Sequence, residues 1–193
     1  MCGIVGYLGE DSPKEVIFNG LKSLEYRGYD SAGVAILDQS TFKRVRAEGK
    51  LSELKKKLDS ETFSGKIGIG HTRWATHGAP SERNAHPHKA GSSIIVHNGI
   101  IENYSQLKDT LGDKDYQSDT DSELVAHLID EELKLGRTLF EAVLNIIPKL
   151  EGAYSILAVN EDNPSEMVAF KNGPPLVVGS GKGSTVIASD IQA

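Results

Sequence analysis

The chain has 193 residues, a formal net charge of -6 at pH 7, 38% hydrophobic residues and 25% charged residues. This balance is typical of one globular domain, and no apolar run approaches the roughly 18 residues that a membrane span requires. The negative charge gives no general basis for binding nucleic acid, and a single cysteine excludes an internal disulfide. We therefore expect a cytoplasmic protein without a nucleic-acid or membrane partner.

The first candidate functional residue is Cys2, the only cysteine of the chain. Removal of Met1 would place a thiol and a free α-amine on this one residue. A thiol of pKa about 8.5 beside an amine of pKa about 7.7–8.0 forms a nucleophile and its base near neutral pH. A lone cysteine is more commonly a small buried apolar residue. The position favours the functional interpretation, because a chain terminus frays unless it is docked or has a function.

Helix starts are marked by three capping boxes, in which a Ser or Thr is followed three residues later by Glu. These boxes, at 12–15, 120–123 and 138–141, each precede apolar residues at helical spacing. Weaker helical spacing of leucines predicts two more helices, over 51–58 and 102–111. The basic run Lys55–Lys57 lies on the first of these two, and we interpret it as a solvated face.

Short β-like runs lie between the helices, in clusters rather than in strict alternation with single helices. This arrangement favours antiparallel sheets covered by helices over a doubly wound parallel sheet. The expected fold class is therefore α+β, in layers. The predicted strands are 4–8, 33–37, 42–47, 66–71, 93–97, 153–159, 167–170, 176–178 and 185–188.

The segment 71–78, His-Thr-Arg-Trp-Ala-Thr-His-Gly, concentrates polar groups directly after a predicted strand. Arg73 has the planar guanidinium that binds a carboxylate bidentately, although the commoner place for an arginine is a surface ion pair. Trp74 fits a core position equally well. Asp121, in the first turn of a predicted helix, either complements the helix dipole or receives a substrate ammonium. Together, Arg73 and Asp121 would hold the two charges of an amino acid.

The pair Asn98 and Gly99 allows two interpretations. Asn-Gly between two apolar runs is a strong signal for a hairpin turn, and the local sequence favours this interpretation. Alternatively, the asparagine carboxamide and the glycine N–H converge on one oxygen, where they stabilise the charge that develops when a carbonyl is attacked.

Two further sequence patterns lack the spacing of the binding motifs that they resemble. Several histidines within 71–97 suggest zinc, but no Cys-x-x-Cys or His-Glu-x-x-His spacing accompanies them. The glycine-rich segment 179–184 lacks the spacing of a phosphate-binding loop, so we expect a flexible turn there.

Five segments together resemble a known family. They are similar to the N-terminal glutaminase domain of the class II glutamine amidotransferases, in the N-terminal-nucleophile hydrolase superfamily, and most of all to the branch that transfers ammonia to fructose 6-phosphate. The resemblance implies a four-layer sandwich of two antiparallel sheets between helices. The segments read Cys-Gly-Ile-Val-Gly at 2–6, Tyr-Arg-Gly-Tyr-Asp-Ser-Ala-Gly at 26–33, Gly-His-Thr-Arg-Trp-Ala-Thr-His-Gly at 70–78, Asn-Ala-His-Pro-His at 84–88 and His-Asn-Gly-Ile-Ile-Glu-Asn at 97–103.

The same resemblance implies a chemistry and a set of roles. Cys2, freed of Met1, would attack the side-chain amide of glutamine, and hydrolysis of the resulting thioester would leave glutamate and ammonia. The implied roles are an oxyanion hole at Asn98 and Gly99, carboxylate and ammonium binding at Arg73 and Asp121, further pocket contacts at Thr76 and His77, a gate on an ammonia channel at Trp74, support of the nucleophile at Arg27 and a substrate-covering loop at His86.

The resemblance covers residues 2–193 and implies a glutaminase domain truncated at its C-terminus, with the sugar-isomerase domains absent. Those domains would bind fructose 6-phosphate, and the full-length enzyme would be a homodimer. No metal or organic cofactor is implied. Two alternatives stay open: a non-catalytic fragment that binds glutamine, and the glutaminase domain of another class II amidotransferase.

Overall fold

The computed structural model describes residues 2–74 and 78–193. Most helices and strands lie close to their predicted positions, and the short strand β5 is an addition that the sequence pattern did not indicate. In chain order the elements are β1 (Gly3–Gly9), α1 (Pro13–Ser23), β2 (Ser31–Asp38), β3 (Thr41–Glu48), α2 (Leu51–Asp59), β4 (Ile67–Arg73), β5 (His88–Ala90), β6 (Ser93–Ile101), α3 (Tyr104–Leu111), α4 (Asp121–Lys134), α5 (Leu139–Ile146), β7 (Gly152–Asn160), β8 (Asn163–Asn172), β9 (Val177–Gly181) and β10 (Ser184–Ala188).

The strands form two antiparallel sheets. One has six strands in the order β3-β2-β4-β1-β10-β9, and the other has four in the order β5-β6-β7-β8. Strand β1 lies between β4 and β10, so the first residues of the chain occupy the interior of the larger sheet. The predicted α+β class and the antiparallel sheets are confirmed.

Apolar clusters fill the spaces between four layers. Ile17 on α1 and Leu54 on α2 pack against the outer face of the six-stranded sheet. Ile69 and Val96 belong to the cluster between the two sheets. Ile95, the neighbour of Val96, packs with α4 and α5 on the opposite face of the smaller sheet, because successive strand residues point to opposite faces. The fold is therefore the expected four-layer sandwich.

Only one of the three predicted capping boxes forms. Thr138 accepts a hydrogen bond from the Glu141 amide at 3.2 Å, and the Glu141 carboxylate accepts one from the Thr138 amide at 2.9 Å. Ser12 makes no side-chain capping bond. The Thr120 hydroxyl lies 3.0 Å from Nε2 of His88 instead of capping α4. Both of these helices still begin where the sequence predicts, because their apolar faces pack on the sheets.

The prediction of a hairpin turn at Asn98-Gly99 is wrong. Strand β6 continues through both residues and pairs with β7 up to Ile101 and Gly152. Gly99 has a φ of 124°, and a Cβ at this position would overlap the carbonyl oxygen of Ala153 on β7. The absence of a side chain at Gly99 therefore permits the close approach of two neighbouring strands.

The glycine-rich segment and the lysine run both lie at the surface. Residues 179–181 of the glycine-rich segment belong to β9 (Val177–Gly181), and the expected turn is confined to Lys182 and Gly183, the latter with a φ of 75°. On α2, the Lys56 ammonium lies 2.8 Å from the Glu53 carboxylate. The lysine run is thus a solvated face, as predicted. Among residues 2–74 and 78–193, none of the helices combines the length and apolarity of a membrane-crossing segment.

Candidate active site

The site lies at one end of the core between the two sheets, where polar side chains replace apolar ones. Ile4 and Ile69 belong to this core. Cys2 lies two residues before Ile4, and Arg73 lies four residues after Ile69, so the pleat of β1 and β4 directs both toward the same face. Asn98 comes to this face from β6, two residues after a core valine. The two sheets therefore bring these three side chains together.

The Cys2 thiol is half-buried beside the backbone that follows β4. Its Sγ accepts a hydrogen bond from the Trp74 amide at 3.2 Å. Burial raises the pKa of the Cys2 thiol, and the Trp74 amide and the nearby Arg73 charge oppose that increase only in part. The thiol therefore stays protonated at neutral pH and requires a base before it can act as a nucleophile.

The Asn98 carboxamide is held at both of its ends. Its Nδ2 donates to the carbonyl oxygen of Cys2 at 3.0 Å. Its Oδ1 lies 3.0 Å from Nε2 of His71, on β4. The amide is thus oriented with its nitrogen toward the nucleophile residue, which is the orientation that donates hydrogen bonds to an oxygen near Cys2.

Arg73 and Asp121 lie on the walls of one small cavity next to Cys2. Both are buried, and Arg73 donates to the carbonyl oxygen of Gly78 at 3.0 Å. The Asp121 carboxylate accepts the Ile101 amide at 2.9 Å. The cavity volume is about 20 Å³, room for about one water molecule.

A larger groove of about 340 Å³ also borders Cys2. The Trp74 side chain, 49% exposed, lines it and contacts Tyr29 edge to face at 5.6 Å. Arg27 also lines it, and its guanidinium lies 2.8 Å from the Asp190 carboxylate. Cys2 therefore borders both the inner cavity and the outer groove.

Buried histidines lie at and behind the inner cavity, which His86 and His97 line. The His86 ring stacks 4.1 Å from that of His71 and lies 4.4 Å from that of His88. Burial lowers the pKa of His71 to about 3 and lowers the pKa values of His86 and His88 well below the ordinary range. These rings are therefore neutral at physiological pH. Within the described part of the chain, no group of three or more His, Cys, Asp or Glu side chains is arranged to hold a metal ion.

Comparison with known proteins identifies the family to which this arrangement belongs. The profile described as "Glutamine amidotransferase domain" matches residues 71–193. The chain belongs to this glutamine amidotransferase family.

Its relatives and structural neighbours agree with that assignment. The domain is 50% identical over 192 residues to the glutamine–fructose-6-phosphate aminotransferase (isomerizing) of Rhizobium meliloti strain 1021. The alignment covers 98% of this chain and 32% of the relative. For the equivalent protein of Acinetobacter baylyi the identity is 49%, with 98% of this chain and 31% of the relative covered. The chain thus spans about a third of the length of the curated relatives that it matches.

Among solved structures, the glutamine phosphoribosylpyrophosphate amidotransferase of B. subtilis complexed with ADP and GMP superimposes with a TM-score of 0.82 at 32% identity, over 97% of this chain and 42% of that chain. A glutamine aminotransferase class-II domain protein of Silicibacter pomeroyi, at 16% identity and a TM-score of 0.62 over 97% of this chain and 88% of that chain, shares the fold. The four-layer sandwich is therefore the fold of this amidotransferase family.

The glutamine amidotransferase domain brings most of the expected site residues to one place. Cys2, Arg73, Trp74, Gly99 and Asp121 line the inner cavity. Asn98 and Arg27 line the outer groove together with Cys2, and His86 reaches the inner cavity from a buried position in the segment before β5. Met1, Thr76 and His77 lie outside the described residues.

His71 and Ser122 were not predicted as individual contributors to the site. His71 bonds to Asn98, and Nδ1 of His97 lies 2.8 Å from the Ser122 hydroxyl. The available signal for His71 was its position two residues before Arg73 on the same strand, which places both side chains on one face. Nothing in the local sequence indicates the contact between His97 and Ser122.

Proposed function

We propose that this domain hydrolyses the side-chain amide of glutamine to glutamate and ammonia, with Cys2 as the nucleophile. The observation that carries the proposal is the place of Cys2, which lines both the cavity that Arg73 and Asp121 line and the larger groove. The Asn98 carboxamide lies beside it and donates to the Cys2 carbonyl oxygen. Membership of the glutamine amidotransferase family supports the choice of substrate.

Glutamine would be held by its two charged groups. Its carboxylate suits the Arg73 guanidinium, whose planar fork matches a carboxylate. Its ammonium suits the Asp121 carboxylate, which is buried at the first position of α4. We also assign Thr76 and His77, which lie outside the described residues, roles in glutamine binding. Both charged side chains are buried, so their interactions with a substrate are weakly screened by water.

The reaction begins once Met1 is removed. The free α-amine of Cys2 takes the thiol proton, and Sγ bonds to the carbon of the side-chain amide. Nδ2 of Asn98 and the Gly99 N–H donate to the oxyanion that forms. The carbon–nitrogen bond then breaks, the amine returns the proton to the leaving nitrogen, and ammonia departs. Water attacks the glutamyl thioester, which releases glutamate and restores the thiol.

The outer groove offers the ammonia a way out. Trp74 and Arg27 line this groove next to Cys2, so we assign Trp74 to a gate and Arg27 to support of the nucleophile. In a longer protein, in which residues 2–193 form the glutaminase part, the ammonia would pass to fructose 6-phosphate on isomerase domains. The names of the relatives support this acceptor. A free thiol nucleophile suits a reducing cytoplasm, which we propose as its location.

The test is the release of ammonia and glutamate from glutamine by the purified chain, with its intact mass measured on the same sample. We expect turnover from protein that has lost Met1 and none from the Cys2→Ala variant, with unfolding curves that match. Protein that retains Met1 should be inactive, because an amide nitrogen has no lone pair available to accept the thiol proton. Equal turnover by both forms would contradict the amine as base. Glutamine binding without turnover in Met1-free protein would favour a non-catalytic binding module.

A further inference from the structure

We propose that His71 is a positioning residue, which fixes the Asn98 carboxamide in the one orientation that presents its nitrogen to the reacting oxygen. The inference rests on the proposed function and deepens it. His71 touches neither the Cys2 thiol nor the Arg73 guanidinium through any hydrogen bond in the described part of the chain. Its effect on the reaction would pass entirely through Asn98.

The hydrogen bonds define which atom carries the proton. Nε2 of His71 lies 2.9 Å from the carbonyl oxygen of His97 and 3.0 Å from Oδ1 of Asn98. Both partners are acceptors, since Nδ2 of Asn98 is the end that donates to the Cys2 carbonyl oxygen. Nε2 therefore carries the hydrogen and shares it between the two oxygens. The alternative tautomer would set a lone pair against both oxygens.

The same contacts exclude the other orientation of the amide. A half-turn of the Asn98 carboxamide would bring its NH₂ group against the Nε2–H of His71. It would also bring its oxygen against the Cys2 carbonyl oxygen. A donor would then face a donor at His71, and an acceptor would face an acceptor at Cys2. With an apolar residue in place of His71, only the contact to Cys2 would distinguish the two orientations. His71 thus doubles the number of contacts that select the productive amide.

The environment holds the donor in place. His71 is fully buried, and burial lowers its pKa to about 3, so the ring stays neutral with a single proton across the physiological range. The His86 ring packs against it, with the ring centroids 4.1 Å apart and the planes tilted by 35°. Among the described residues, Nδ1 of His71 has no hydrogen-bond partner, so its Nε2–H is the contact that orders the side chain. A preset donor of this kind costs no reorganisation during the reaction.

The experiment compares His71→Gln with His71→Met, two side chains of similar length of which only glutamine keeps a donor. We expect His71→Met to lower kcat about 10- to 100-fold, less than or equal to the loss of an oxyanion donor itself. The KM for glutamine should change less than about twofold, because ground-state binding is untouched. His71→Gln should recover most of kcat. His71→Phe, which keeps a stacked ring without the donor, repeats the test if the methionine variant does not fold.

A double-mutant cycle separates positioning from a general structural effect. In an Asn98→Ala background, His71→Met should lower kcat no further, because the group through which it acts is gone. A binding readout gives the same distinction. The aldehyde analogue of glutamine forms a tetrahedral adduct with a thiol, so its affinity should fall about as much as kcat, while the affinity for glutamate stays the same. A further loss in the Asn98→Ala background, or no rescue by glutamine, would overturn the inference.

One measurement needs no variant. In ¹⁵N-labelled protein, nuclear magnetic resonance of the His71 ring should report a proton on Nε2 throughout the neutral pH range. A proton on Nδ1 instead would overturn the inference, even with the glutaminase intact. Active wild-type protein whose folded His71 variants keep full kcat would also overturn the inference alone, whereas wild-type protein free of Met1 that never releases ammonia would overturn both this inference and the proposed function.

Discussion

The Asn98 carboxamide donates a hydrogen bond of 3.0 Å to the carbonyl oxygen of Cys2, across 96 positions of the chain. Asn98 belongs to the smaller sheet, whereas Cys2 directly precedes the strand at the interior of the larger one. The bond therefore ties the nucleophile residue to the opposite sheet. Any change in the packing of the two sheets would alter the distance between the thiol and the group proposed to stabilise its transition state.

Substitution of Asn98 tests that group directly. We expect Asn98→Ala to lower kcat by about 10²–10³-fold with little change in the KM for glutamine, because the donor acts on the oxyanion. Steady-state ammonia release measures both constants. Asn103→Ala is the matched control, since Nδ2 of Asn103 donates to the Lys149 carbonyl oxygen at 2.8 Å, outside the cavity. Equal losses in kcat from both variants would argue against a role for Asn98 in the transition state.

Gly99 should tolerate no side chain. In Gly99→Ala the new Cβ would meet the backbone of Ala153, at a φ that L-residues rarely adopt. Gly112→Ala is the control, because Gly112 also has a positive φ, of 71°, but has open space around it. We expect the free energy of unfolding to fall by about 1–3 kcal/mol more for Gly99→Ala than for the control. Urea unfolding of both variants measures the difference, and equal effects would contradict the close approach.

Asp121→Asn should separate the charge of the carboxylate from its structural contact. The amide oxygen can still accept the hydrogen bond of the Ile101 amide, which is 2.9 Å from the carboxylate. Loss of a charge-assisted hydrogen bond of about 1.5–3 kcal/mol should raise the KM for glutamine about 10- to 100-fold. Asp119→Asn, in an exposed ion pair with Arg83, should leave KM unchanged. An unaltered KM in Asp121→Asn would remove Asp121 from the ammonium site.

The buried histidines predict a loss of stability on mild acidification. The unfolded chain protonates its histidines near pH 6.5, whereas folded His71 stays neutral down to about pH 3. The unfolded state binds more protons in that window, so the free energy of unfolding should fall as the pH is lowered. Each such histidine contributes a slope approaching about 1.4 kcal/mol per pH unit.

Urea unfolding at about pH 7.5, 6.5 and 5.5 measures this slope above the range in which carboxylates titrate. His86→Phe should make the slope shallower, because burial also lowers the pKa of His86 and the variant removes its contribution. A free energy of unfolding that is constant between about pH 6.5 and 5.5 would contradict the prediction, because it would show that the folded and unfolded states bind the same number of protons.

The sequence predicted those parts of the fold that depend on local periodicity. Strand runs in clusters indicated antiparallel sheets, and the Thr138 box and the leucines of α2 marked helices that the structure contains. Prediction failed where a distant partner decides. Asn98-Gly99 has the local chemistry of a turn, but the backbone of Ala153 lies against Gly99 and strand β6 continues. Thr120 has the local chemistry of a cap, but His88 engages its hydroxyl.

The candidate site divides in the same way. Cys2, Arg73 and Asp121 attracted attention through their own chemistry, a terminal thiol and two opposite charges. The contact between His71 and Asn98 could not be predicted, because the two residues lie 27 positions apart on strands of different sheets. Only the packing of one sheet on the other brings them within hydrogen-bonding distance.

The interior position of β1 has a consequence for the newly made chain. The Ile4 amide donates to the Ser189 hydroxyl at 3.0 Å, across 185 positions, and residues 5–9 of β1 pair with β10. At about 5–20 residues per second, the ribosome needs about 10–40 s to supply that partner. During this interval the start of the chain has no β10 to cover it. The removal of Met1 that the proposed mechanism requires therefore has this interval available before β10 can pair with β1.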